Sequence, residues 1–104
     1  MPTNTLNDRT FEVDAEGFLT RRDDWSEDLA ADMAALIGID LSDEHLAILR
    51  FMREDSAQTG VTPTLRRIQT VGGFDIKTLF ALYPGKPAKK MAWLSGLPKP
   101  VGCV

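Results

Sequence analysis

The segment from residue 42 to residue 60 constrains the fold more than any other part of the sequence. Ser42 can serve as a helix N-cap, and Gly60 can end the helix. Leu41 and Leu46 occupy the two positions of a hydrophobic staple. Since a helix that is apolar on most sides must be surrounded by other elements, we predict that this is the central helix. Its apolar residues are Leu46, Ile48, Leu49, Phe51 and Met52.

Four further helices are predicted around the central one. In each of them apolar residues recur at helical spacing, and capping residues, prolines or glycines mark the bounds. In chain order they run from Ser26 to Gly38, from the cap Thr62 and first helical residue Pro63 to Gly72-Gly73, from the cap Asp75 to Tyr83, and from Pro87 through Leu94.

The predicted fold is therefore one mainly α domain over residues 1–104, with about five helices and a short N-terminal β-hairpin. The hairpin is expected within residues 10–19, because Phe11 and Val13 alternate with acidic residues and Gly17 closes a turn. Residues 1–9 are expected to be flexible. The helices should share one core, formed by Leu29, Met33, Leu36, Leu46, Leu49, Met52, Leu65, Ile68, Leu79 and Phe80.

The charges divide the chain into two halves. Residues 1–60 hold fourteen acids and five bases, a net charge of −9, while residues 61–104 hold seven bases and one acid, a net charge of +6. The division predicts an acidic face and a basic face. No apolar run reaches the roughly 20 residues of a membrane-spanning helix, and the first residues lack the pattern of a signal peptide. We therefore expect a cytoplasmic protein that does not enter the membrane.

The sequence contains one cysteine and one histidine, and these numbers limit the possible chemistry. They exclude an intramolecular disulfide, and they are too few for a Cys/His metal site with its usual four ligands. We predict no metal and no cofactor. His45 is expected to be a helix-start residue rather than a catalytic one.

The cysteine lies in a segment that cannot be helical. Pro98 and Pro100 fix two backbone angles and remove two donors, so residues 97–104 are expected to form an extended, mobile C-terminal arm. Cys103 is the penultimate residue of this arm, and Gly102 beside it removes steric bulk. A structural cysteine belongs in a packed element, whereas this position suits a thiol that enters the active site of a partner.

Several motifs resemble the DsrC/TusE family of sulfur carriers. They are Leu82-Tyr83-Pro84, Pro87-Ala88-Lys89 and the long terminal run from Gly96 to Val104, together with Trp25, Glu44-His45, Phe51-Met52-Arg53, Pro63 and Arg66. The resemblance covers roughly residues 10–104. It implies a helical domain with a small N-terminal hairpin and a mobile arm whose penultimate cysteine carries sulfur as a persulfide.

The resemblance also implies the site and its partners. Cys103 would be the catalytic residue of a sulfurtransferase. Independently of the resemblance, thiol chemistry suggests the residues that bind substrate or partner, because nearby cations favour the thiolate and a glycine leaves room for a second sulfur. These predicted residues are Arg66, Lys89, Lys90, Lys99 and Gly102. The donor would be a complex of the TusBCD or DsrEFH type. The acceptor would be an MnmA-type tRNA thiouridylase, or an enzyme resembling sulfite reductase or heterodisulfide reductase.

One position and one segment separate this chain from other members of the family. Members tied to dissimilatory sulfite reductase have a second cysteine eleven residues before the last, where this chain has Ala92, so the resemblance implies relay by a single thiol. The segment from Gln69 to Lys77 is several residues shorter than is usual in the family. A role in tRNA 2-thiouridine synthesis and a role in a cytoplasmic sulfur-oxidation pathway therefore both stay open.

Two other classes of function are considered. Arg66 and Arg67 begin a short helix after a turn, as in a helix-turn-helix regulator, but the acidic total argues against direct nucleic-acid binding. The protein could instead be a passive adaptor whose tail docks into a partner. Uptake of sulfur on Cys103 would distinguish the carrier from both alternatives.

Overall fold

The computed structural model describes residues 3–6 and 9–100, so the predicted reactive residues Gly102 and Cys103 lie outside the described residues. Within the described part, the chain is mainly α, as predicted, with five α-helices and two short strands. The elements in order are β1 (Thr3–Leu6), β2 (Arg9–Glu12), a 3-10 turn (Arg22–Asp24), α1 (Glu27–Leu36), α2 (Asp43–Thr59), α3 (Leu65–Thr70), α4 (Ile76–Leu82) and α5 (Pro87–Leu94).

Helix α2 is the long central helix that the sequence predicts. Ser42 caps it by accepting from the backbone N–H of His45, and the His45 side chain accepts in return from the backbone N–H of Ser42. Gly60 ends the helix at a φ of 80°, in the left-handed region that favours glycine. Leu49 and Met52 are fully buried, so this helix carries the middle of the core.

The hairpin lies nearer the N-terminus than predicted. Strands β1 and β2 pair antiparallel, with Thr5 opposite Thr10 and their hydroxyls 3.0 Å apart. The predicted turn at Gly17 does form, because the Asp14 carboxylate accepts from two backbone N–H groups after it. Beyond that turn only a single bridge, from Val13 to Leu19, continues the pairing. Thus β1 lies among residues 1–9, which the sequence analysis left outside the hairpin.

Two helix starts illustrate how caps decide the bounds. Helix α5 begins at Pro87 as predicted. Helix α3 begins at Leu65 and not at Pro63, because the Thr64 hydroxyl accepts from the backbone N–H of Arg67. The hydroxyl of Thr62, the predicted cap, is used elsewhere in the structure.

The core is one cluster to which all five helices and the hairpin contribute. Leu29, Met33, Leu49, Met52, Ile68 and Leu79 are buried as predicted, whereas Leu46 and Leu65 are partly buried. The prediction was wrong for Leu36 and Phe80, which are 65% and 48% exposed. In α1 the buried stripe contains the small residues Ala30 and Ala34, so Leu36 at the helix end points outward. None of the helices among residues 3–6 and 9–100 has both the length and the apolar character needed to cross a membrane.

Candidate functional site

The described residues closest in sequence to the predicted thiol are those from Trp93 to Pro100, which we call the arm base. Its first turn ends α5: the backbone N–H of Leu97 donates to the Ala92 carbonyl at 3.1 Å. Leu97 and Pro100 are buried, whereas Pro98 and Lys99 are exposed. Of the predicted mobile arm, the structure therefore describes residues 97–100, and two of these four residues are buried against the domain.

An aromatic ring and a guanidinium hold the start of the arm base. The indole N–H of Trp25 donates to the Leu94 carbonyl at 2.7 Å, and Nη1 of Arg53 donates to the Ser95 carbonyl at 3.0 Å. The Arg53 guanidinium also lies over the Trp25 ring, 4.4 Å from its centre, in a cation–π contact. Gly96 adopts a φ of 72°, and a Cβ there would meet the Trp25 ring at 2.7 Å. The chain therefore leaves α5 in a direction that these three residues fix.

Arg53 is bound by carbonyls, and none of the described ion pairs includes it. Its second Nη donates to the Arg22 carbonyl at 3.0 Å, and the Arg22 guanidinium donates back to the Arg53 carbonyl at 3.1 Å. Burial, followed by the nearby charge of Arg22, lowers the pKa of Arg53. The two arginines thus tie α2 to the 3-10 turn directly beneath the arm base.

Two further contacts hold the arm base, one at Pro98 and one at Lys99. The hydroxyl of Thr62 donates to the Pro98 carbonyl at 2.8 Å, so the residue predicted to cap α3 binds the arm instead. The Lys99 ammonium forms an ion pair with Glu16 at 3.2 Å. A cavity of about 290 Å³ lies beside these contacts, with Arg22, Thr62 and Lys99 among its lining residues.

The structure separates the candidate cations into three settings. Lys99 lies on the arm base. Lys89 and Lys90 lie on α5 and line a second cavity, of about 500 Å³, and the Lys90 ammonium donates to the Pro84 carbonyl. Arg66 is exposed on α3 and lines neither of the two cavities. The predicted site residues are therefore not one cluster around the arm.

His45 has a structural role in this fold. Its Nε2 donates to the Leu82 carbonyl at 3.0 Å, and its Nδ1 accepts from the Ser42 backbone N–H at 3.0 Å. The Tyr83 hydroxyl donates to the His45 carbonyl at 3.0 Å, and burial raises the pKa of that hydroxyl. Both ring nitrogens are thus engaged: Nδ1 completes the N-terminal cap of α2, and Nε2 joins α2 to α4, as expected for a helix-start residue.

The arginine pair on α3 does not form a DNA-reading surface. Arg67 points back to α2, where its guanidinium donates two hydrogen bonds to the buried carboxylate of Asp55 at 2.7 and 2.8 Å. Hydrogen bonding from Arg67 lowers the pKa of Asp55. Only Arg66 of the pair faces solvent freely, which is too little for the basic surface that nucleic-acid binding needs.

Comparison with known proteins decides the family. The family model described as DsrC like protein matches residues 5–104. This chain belongs to the DsrC/TusE family. The sulfite reductase, dissimilatory-type subunit gamma, of Nitratidesulfovibrio vulgaris is 37% identical over 101 residues, covering 96% of each chain. The sulfurtransferase TusE of Sodalis glossinidius is 37% identical over 106 residues, covering 95% of this chain and 98% of the relative.

Solved DsrC structures share the fold. The NMR structure of DsrC from Allochromatium vinosum has a TM-score of 0.81 at 34% identity and covers 98% of this chain and 97% of its own. The crystal structure of dissimilatory sulfite reductase I matches with a TM-score of 0.85 at 33% identity, and the match covers 99% of this chain and 100% of the matched chain. The chain is thus a sulfur-relay carrier of the DsrC/TusE family, and membership implies sulfur-relay partners. The regulator and adaptor alternatives find no support among these relatives.

Sequence reasoning did not assign a role in holding the arm base to any residue, although Trp25 and Arg53 belong to the motifs that carry the family resemblance. Trp25, Arg53 and Thr62 all donate to backbone carbonyls, and carbonyl acceptors carry no side-chain signal that a sequence pattern can show. It also missed Lys86, which lines the second cavity but follows a glycine in a turn and therefore looks like a turn residue.

Proposed function

We propose that this protein accepts a sulfur atom on the thiol of Cys103 and passes it on as a persulfide. The observation that supports the proposal most is the fixed arm base, because Pro100 is buried and the thiol follows only three positions later. Because three residues of chain span at most about 11 Å, the thiol cannot lie far from this anchor, and a short tether raises effective concentration at a docked partner.

The transfer follows from thiol chemistry. The Cys103 thiolate attacks the outer sulfur of a donor persulfide, the donor's sulfur–sulfur bond breaks, and the donor leaves as a thiolate. Cys103 then carries the persulfide, and in the reverse sense an acceptor thiolate takes its outer sulfur. A free thiol has a pKa of about 8.5, so only a small fraction is thiolate near neutrality. Each step conserves electrons and needs no external oxidant.

The single thiol restricts the chemistry to a relay between chains. Ala92, where two-cysteine members have their second cysteine, is fully buried on α5. Persulfide on Cys103 has no second cysteine of this chain to attack it, since the sequence contains one cysteine. The acceptor must therefore supply its own thiol.

The proposed partners are those that such a relay requires. The donor would be a complex of the TusBCD or DsrEFH type, and the acceptor an MnmA-type tRNA thiouridylase or an enzyme resembling sulfite reductase or heterodisulfide reductase. The relatives named above include both a TusE and a sulfite reductase subunit. We place the relay in the cytoplasm, where thiols are kept reduced. Contact with tRNA would be made by the acceptor and not by this chain.

Intact-mass measurement tests the proposal. After incubation with a persulfide donor the protein should gain one sulfur atom, and added thiol should remove it. Cys103→Ser should gain none, while its circular dichroism and melting temperature match those of the wild type. Sulfur uptake by the Ser variant would contradict the assignment of Cys103.

Oxidation provides a second measurement. Since Cys103 is the only cysteine, a mild oxidant should produce disulfide-linked dimers on a non-reducing gel, and Cys103→Ser should remain monomeric. A monomeric wild type under strong oxidant would show that the thiol is sheltered, contrary to the exposed position that we propose.

A further inference from the structure

The cavity at the start of α5 has a composition unlike the rest of the surface. Its volume is about 500 Å³, within the range of protein binding sites. It combines three lysines with three large apolar side chains, and we call it the lysine groove: Lys86, Lys89, Lys90, Phe18, Ile37 and Trp93, with Gly85 and Glu16 completing the lining. None of these residues lines the cavity beside the arm base.

The cations of the lysine groove are not neutralised. Among the described residues, the ion pairs are Arg50–Glu27, Arg67–Asp55 and Lys99–Glu16, and none includes a groove lysine. Glu16, the one acid in the lining, is thus paired with Lys99. Lys90 donates to the Pro84 carbonyl, which leaves its charge in place. A local excess of positive charge on a protein of net charge −3 marks this surface as a site for an anionic group.

The backbone supports the same interpretation. Lys86 has a φ of 48° and is the one non-glycine residue with a positive φ in the described part of the chain. A lysine in the left-handed region is uncommon, and such conformations concentrate at binding sites. The conformation places Lys86 at the rim of the groove.

The apolar half of the groove is left open. Ile37, just after α1, is 39% exposed, Trp93 is half-buried, and the buried Phe18 lines the same cavity. The Trp93 indole N–H donates to the Gly17 carbonyl at 3.1 Å, so the ring is held in one orientation. A fixed aromatic face beside an exposed aliphatic side chain suits one large apolar side chain of a partner.

We infer that the lysine groove docks an acidic segment of a partner protein that carries one large apolar side chain. That the partner belongs to the sulfur relay rests on the proposed function; the docking chemistry does not. A nucleic-acid strand fits less well, because residues 1–60 carry −9 and would repel an extended phosphate backbone. Since α5 joins the groove to the arm base, a partner seated on the groove would lie about 12 Å from the arm base, the length of this helix of 8 residues.

The two tryptophans allow a direct test. The probe is a synthetic peptide of alternating aspartate and glutamate with one central leucine, added to the ¹⁵N-labelled protein up to millimolar concentration. The indole N–H signal of Trp93 and the backbone signals of Lys86, Lys89 and Lys90 should shift in a saturable manner. The Trp25 indole signal, which reports on the arm base, should stay in place. Replacing the peptide's leucine by serine should weaken binding about tenfold.

Matched variants separate the groove from general electrostatics. Lys89→Glu should abolish the peptide-induced shifts, whereas Lys77→Glu, an equal change of charge on α4 outside the groove, should weaken binding less than about threefold. Ile37→Ser should weaken binding about fivefold, while Leu36→Ser, at the neighbouring exposed leucine that does not line the groove, should leave it unchanged. Folding of each variant is verified by its own spectrum.

Each of the other outcomes would overturn the inference. Two of them concern the peptide: no shift of the Trp93 signal at millimolar peptide, or a Trp25 shift as large as that of Trp93. A third is that a single-stranded RNA of the same charge produces shifts equal to those of the peptide. Shifts that appear when the protein alone is concentrated would indicate a second copy in the groove. Cys103→Ser should bind the peptide like the wild type. Failure of sulfur transfer and failure of groove binding are therefore observed separately.

Discussion

The two ends of helix α5 differ in how their polar groups are used. At the C-terminal end, the carbonyls of Leu94 and Ser95 accept from Trp25 and Arg53, and the ring of Trp25 covers Gly96. At the N-terminal end, the described structure gives none of the three lysines an ion-pair partner, and Ile37 is left exposed. The first end is bound internally and the second is available to another molecule.

The difference indicates that one helix serves two purposes. Contacts at the C-terminal end fix the direction in which the chain continues toward Cys103, and they do so with Arg53 of α2 and with Trp25, which follows the 3-10 turn. Contacts at the N-terminal end would be completed only by a partner. Substitutions at the first end should therefore change stability, and substitutions at the second should change association.

The largest expected effect comes from comparing two residues of α5. Leu94 is fully buried, so Leu94→Ala should lower the free energy of unfolding by about 2–5 kcal/mol. Lys89→Ala should change it by less than about 0.5 kcal/mol, because the side chain lies at the surface of the groove. Urea denaturation of both variants measures the difference. Similar losses would mean that the two ends of the helix are not distinct.

The next effect isolates the contact between Gly96 and Trp25. Gly60→Ala serves as the control, because Gly60 also has a positive φ but has no atom within 4 Å of the added methyl group. It should cost about 1–2 kcal/mol from the backbone alone. Gly96→Ala should lower the free energy of unfolding by about 1–3 kcal/mol more than Gly60→Ala does, because the added methyl group would lie 2.7 Å from the Trp25 ring. Thermal denaturation of both variants measures this difference. Equal melting temperatures would show that the Trp25 ring can move aside without loss of stability.

The fold could be predicted from the sequence wherever local signals and burial agree. The caps Ser26 and Ser42 and the start at Pro87 were predicted correctly because each acts on its own first turn. The predicted start of α3 was wrong because the Thr64 hydroxyl caps the helix. The hydroxyl of Thr62 instead donates to the Pro98 carbonyl, a contact between distant residues that a local pattern does not show. Leu36 was wrongly placed in the core because apolar spacing does not show where a helix stops contacting its neighbours.

The candidate site could be predicted only in part for a related reason. A cysteine between glycine and the chain end carries its own signal, and Cys103 remains a prediction. Which lysines share a surface depends on how α5 packs against α1 and the turn at Gly17. Lys86 and Ile37 therefore appeared only in the structure, as did the separation of Lys99 from the groove lysines.

Arg67, which is bound to Asp55, and the exposed Arg66 should differ in how their replacement changes stability with pH. Arg67 lowers the pKa of the buried Asp55, so this carboxylate stabilises the fold above the unfolded value of about 3.9 and loses that contribution as pH falls through its lower folded value. Arg67→Gln should therefore reduce stability at pH 7, and its difference from the wild type should shrink below about pH 4. Arg66→Gln should match the wild type throughout. Denaturation between pH 2 and pH 7 measures this, and a constant difference would contradict the assigned pair.

The smallest expected effect concerns Lys99, the one candidate cation that belongs to the bound end and yet lies near the groove. Its ion pair with Glu16 is exposed, so breaking the pair should change stability by no more than about 1 kcal/mol. Glu16→Gln and Lys99→Gln break the same pair and should lower stability equally, but they change the charge in opposite directions. If a partner approaches with an acidic surface, Glu16→Gln should speed association and Lys99→Gln should slow it, with both differences vanishing at high salt. Stopped-flow association with a TusBCD-type donor at low and high salt measures both rates. Equal rates at low salt would place Lys99 wholly with the bound end of α5, holding the arm base without steering a partner.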